Sequence, residues 1–81
     1  MATESLAALG YEARVAYSRL LIAKVREDRY PSTAYMSVIE HVIPPEVVRE
    51  YLDVLLAKVM SENHPSVPML RRIQRIITDL G

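Results

Sequence analysis

Apolar side chains return at four-residue steps in two parts of the chain, as Tyr17, Leu21 and Val25 and again as Tyr51, Leu55 and Val59. That step keeps them on one side of an α-helix, which turns once in about 3.6 residues. Two later segments carry a matching pair of stripes, Met36, Ile39 and Ile43, then Leu70, Ile73 and Ile77. Met69, Ile76 and Leu80 widen the last of these, so residues 67–80 form the most clearly amphipathic stretch. No segment keeps up a strict apolar–polar alternation, so strands are not expected.

The breaks between stripes carry their own chemistry. Proline disfavours helical geometry in the residue before it, which places Tyr30 and His64 outside helices. The serine after each proline, Ser32 or Ser66, is a good N-cap because its hydroxyl can accept from a free amide one turn in. Pro45 suits a first helical position, and Glu46 then lies in the positive first turn. The pattern predicts four helices over 4–28, 32–43, 45–61 and 66–80. Gly10 leaves two expectations for residues 1–10: a frayed start, or a helix extended by Leu6 and Leu9.

The stripes and breaks belong to one repeat. Shifting the chain by 34 places aligns residues 12–43 with 46–77, and ten of the 32 pairs are identical. Unrelated segments would share roughly two at ordinary residue frequencies. The expectation is an all-α, compact four-helix domain built from two tandem helical hairpins with approximate two-fold pseudo-symmetry. Residues 1–11 form an N-terminal extension to it. The period equals that of tetratricopeptide repeats, but there is no tryptophan, and the shared proline lies between the helices of a unit instead of at its end. That resemblance is rejected.

Composition changes the picture in three ways. Ten basic and ten acidic residues cancel, five of each in residues 1–43 and five of each in 44–81, so no global field draws the chain to nucleic acid or an anionic membrane. There is no cysteine for a disulfide or thiolate metal site. The start, Met1–Gly10, lacks a cationic region and a long apolar run, so no secretion signal is expected and a cytoplasmic location follows by default. Third, apolar types reach 51% in a short chain with little interior to hold them.

That surplus points to a partner. Beyond the stripes, helix one carries Tyr11, Val15 and Ile22, and helix three carries Val47, Val54 and Leu56. A helix apolar around most of its girth is central or sandwiched. These six are the candidate protein interface, with a second copy of the chain as the most economical partner. Arg71, Arg72 and Arg75 make the one local basic patch, a candidate nucleic-acid or partner contact. Lys24 and Lys58, each four residues before an acid, read as flanking lysines paired along their own helices with Asp28 and Glu62.

Chemistry for catalysis is thin. His41 and His64 stand alone, without the ligand spacing of a metal site. The corner serines have no repeated base beside them, since one corner offers tyrosine where the other offers histidine. The only glycines, Gly10 and Gly81, exclude a glycine-rich phosphate loop. The expectation is a non-enzymatic helical protein-interaction module, an adaptor or regulatory partner. It needs no cofactor or metal and has no membrane partner, and it self-associates as a homodimer. The alternative is a small helix-turn-helix-like DNA-binding regulator using the last helix.

Overall fold

A computed structural model describes residues 2–80, with side chains from Leu9 to Leu80. Four helices follow in order: α1 (Ala2–Glu27), α2 (Thr33–Val42), α3 (Pro45–Met60) and α4 (Val67–Leu80). No strand occurs among the described residues. The helix of α1 runs unbroken through Gly10, so the backbone follows the extended expectation and not the frayed one. A Cβ at Gly10 would meet open space, so the glycine is not required by packing within the chain.

The corners form as their residues dictate. Ser32 is extended (φ −68°, ψ 147°), and its Oγ accepts from the Tyr35 amide at 3.1 Å. Ser66 Oγ accepts from the Met69 amide at 3.2 Å. Each hydroxyl thus satisfies a donor that the first turn of a helix leaves free. Tyr30 and His64 lie outside the helices. Pro45 opens α3, and Glu46 lies in its first turn.

The backbones of three helix pairs come close: α1 with α2, α3 with α4, and α1 with α3. The core they enclose is Leu21, Ile22 and Val25 of α1, Met36 and Ile39 of α2, five residues of α3, and Ile73 and Ile76 of α4. The α3 set is Val47, Tyr51, Leu52, Val54 and Leu55, so this helix supplies the largest share. Leu55, Ile39 and Val47 are fully enclosed, and each contributes about 1.5–3 kcal/mol over an exposed position.

Residues 34 places apart do not all share an environment. Leu21 and Leu55 are both buried, as are Ile39 and Ile73. Tyr51 is 1% exposed, whereas Tyr17, on the matching stripe of α1, is 47% exposed. Met36 is buried and its counterpart Leu70 is exposed. The radius of gyration is 14.3 Å. About 12 Å is typical of a chain this long, so the bundle is drawn out along one axis and leaves long stretches of helix facing water.

Candidate interaction surfaces

Of the six apolar positions read as an interface, three are buried, two half-buried and one exposed. Ile22, Val47 and Val54 are buried within the chain at 2%, 0% and 5% exposure. Val15 and Leu56 are half-buried and pack against the same core. Tyr11 is exposed, and its hydroxyl donates to the Glu46 carboxylate of α3. The physical reason is that α1 has two neighbours, α2 and α3, and α3 also has two, α1 and α4. Each central helix therefore has two faces covered inside the chain, which takes in Ile22, Val47 and Val54.

The arginine patch is also divided. Arg72 Nη1 donates to Glu40 Oε2 at 2.6 Å, with only 11% of its side chain exposed. Arg71 and Arg75 remain exposed. Arg72 is thus committed to α2 and does not face outward with the other two. Lys58 likewise turns away from Glu62: its Nζ donates to the carbonyls of Arg26 and Asp28, near the C-terminal end of α1, where a cation is favoured.

Glu40, half-buried at the edge of the core, joins three helices. Its Oε2 accepts from Tyr51 Oη at 2.5 Å and from Arg72 Nη1 at 2.6 Å, so a single carboxylate joins α2, α3 and α4. Burial of the Tyr51 ring, and then its bond to Glu40, raise the phenol well above its usual value. Two further ties on the outside, besides that of Lys58 to the Arg26 carbonyl, hold α1 to α3. The Arg19 guanidinium donates to Glu50 at 2.9 Å, which keeps it protonated still more firmly, and Tyr11 is raised chiefly by its bond to Glu46.

The structure brings the two Pro-Ser corners together. Tyr30, Pro31, His64 and Pro65 line one open groove, with Lys58 and Arg72 on its wall. Both corner serines are occupied as caps, so the groove presents rings and cations instead of an activated hydroxyl. Among the described residues no group of three or more His, Cys, Asp or Glu is placed to hold a metal ion. No helix is long and apolar enough to cross a membrane.

One surface was read in the sequence only at its Leu9 end. Along the outside of α1, Leu9 is 59% exposed and Leu20 55%, and Ala13 and Ala16 between them are exposed too. At 100° per residue this strip lies about 180° from Ser18, which sits at the centre of the helix's core face. The steps of four, three and four residues from Leu9 to Leu20 were the available signal. Four further apolar residues, Val67, Leu70, Ile77 and Leu80, are exposed along α4.

No protein-family model, curated protein or solved structure matches this chain. The fold defines a class, a four-helix all-α domain with one compact core. Beyond that class, function has to be argued from the surfaces just described.

Proposed function

We propose that the chain is a small helical protein-interaction module that associates with itself. The observation that carries this reading is the outer strip of α1, where two leucines more than half exposed lie directly opposite the helix's own core face. A long helix with apolar residues on both sides is the mark of an element sandwiched between two bodies. The chain supplies only one of them. Balanced charge suits such a role, because like-charged copies would repel. The sequence repeat fits a pair of tandem hairpins related by a rough two-fold axis, whose middle helices would form the rigid platform for the strip.

Sedimentation equilibrium tests the reading. A dimer at tens of micromolar, driven to monomer by Leu20→Glu with the helix content unchanged, is the expected result. A wild-type chain that stays monomeric across that range would refute self-association.

A further inference from the structure

Resting on the reading above, we infer that the second copy docks by α1 against α1 in an antiparallel two-helix seam. The strip extends by sequence spacing in both directions. Ala2, Leu6, Leu9, Ala13, Ala16, Leu20 and Ala23 follow one another at steps of four and three. That alternation averages 3.5 residues and is the inner seam of a coiled coil, each position being leucine or alanine. Of these, Leu9, Ala13, Ala16 and Leu20 are exposed, so no other part of the chain covers the middle of the seam.

The flanking residues choose the direction. Glu12 and Arg19 border the seam on one side, Gly10, Tyr17 and Lys24 on the other, and all five are exposed. Charges in these bordering positions set the orientation of paired helices. A parallel pair would set Arg19 against the partner's Lys24, like against like, and Glu12 against the partner's Tyr17. The antiparallel pair that seats Leu9 on the partner's Leu20 sets Glu12 against the partner's Arg19, and the two-fold axis makes that contact twice. Arg19 already bonds Glu50, but 54% of its side chain is exposed, so a second carboxylate has access to it.

The same register accounts for Gly10. It places the partner's Tyr17, a ring 47% exposed in one copy, beside the bare backbone at Gly10, where a Cβ would meet nothing in the single chain. At the centre, Ala13 faces the partner's Ala16, and two small residues allow the helix axes to approach closely. The leucine pairs then close the seam at either end of the alanines. A glycine in mid-helix, an exposed tyrosine and an alanine-rich centre thus fall into one arrangement. On α4 the exposed Val67, Leu70, Ile77 and Leu80 are interrupted by the polar Gln74.

The absence of cysteine makes the test direct. Leu9→Cys and Leu20→Cys are prepared as separate chains, each checked for native helix content, and oxidised alone and mixed. In the antiparallel seam, Leu9 and its own copy in the partner lie about 16 Å apart along the axis at 1.5 Å per residue. Disulfides need Cα atoms within about 7 Å. The mixture should therefore give a cross-linked dimer of one chain of each kind, while either variant alone should give none. Cross-linking of each variant with itself and not in the mixture would establish a parallel seam and overturn the inference. A dimer by sedimentation that fails to cross-link in any combination would place the contact elsewhere and overturn it while leaving self-association intact. A monomeric wild-type chain would overturn both.

Discussion

Glu40 offers the sharpest test of how the bundle is held. Its Oε2 takes both the Tyr51 hydroxyl and the Arg72 guanidinium, and the backbones of α2 and α4 do not themselves approach. Glu40→Gln keeps the shape and an acceptor for Tyr51 but removes the charge that Arg72 faces. Leaving one member of a fully buried ion pair uncompensated costs about 3–5 kcal/mol. Here the side chains are 11% and 22% exposed, so water recovers part of that loss, and about 2 kcal/mol is expected. In a domain of this size that corresponds to a fall in melting temperature of roughly 8–16 °C. Urea unfolding followed by circular dichroism measures it, with Arg72→Met and the double variant completing a cycle. The double variant should recover at least about 1 kcal/mol relative to the sum of the singles, because no charge is left stranded. Additivity of the two changes to within about 0.5 kcal/mol would show that the contact does not couple α2 to α4, and the reasoning would fail.

Three further outcomes follow from the same geometry. Ser32→Ala and Ser66→Ala should each lower stability by about 1 kcal/mol in thermal melts, since each removes the one side-chain cap of its helix; a silent change at either corner would show that its cap does not support the fold. Ser18 is wholly buried with its hydroxyl unpartnered, so Ser18→Ala should raise stability by up to about 1 kcal/mol, and a loss of stability would contradict this. The raised Tyr51 phenol keeps its proton in the folded chain while the unfolded chain gives it up near pH 10. Stability should therefore hold below about pH 10 and fall above it by up to about 1.4 kcal/mol per pH unit, and Tyr51→Phe should flatten that limb. Equal alkaline slopes in the two proteins would count against it.

The local signals in the sequence carried furthest. Pro31 with Ser32, Pro65 with Ser66, and Pro45 with Glu46 act within a few residues of themselves, and the helices begin and end beside them. Burial depends on which neighbour covers which face, and that is not a local property. Tyr17 and Tyr51 stand at the same place on similar stripes 34 residues apart, yet Tyr51 has a half-buried acceptor, Glu40, for its hydroxyl, and its ring is enclosed while that of Tyr17 is not. Ile22, Val47 and Val54 looked superfluous because so short a chain has little interior, and the two neighbours that α1 and α3 each have enclose them. Leu20 escaped notice, and Leu9 was read only as extending the first helix, for a related reason. Their strip repeats at a mean of 3.5 residues, a seam pattern hidden beneath the broader 3.6-residue amphipathic signal of the core face.

The links between helices have a kinetic consequence. Five residues separate α1 from α2, two separate α2 from α3, and six separate α3 from α4. Elements that meet in space are thus close along the strand, apart from the α1–α3 contact, and little chain entropy is lost in closing the gaps. A topology of that kind refolds in microseconds to milliseconds. The polypeptide would then reach its native shape well before two copies at micromolar concentration could meet, so any assembly would begin from finished parts.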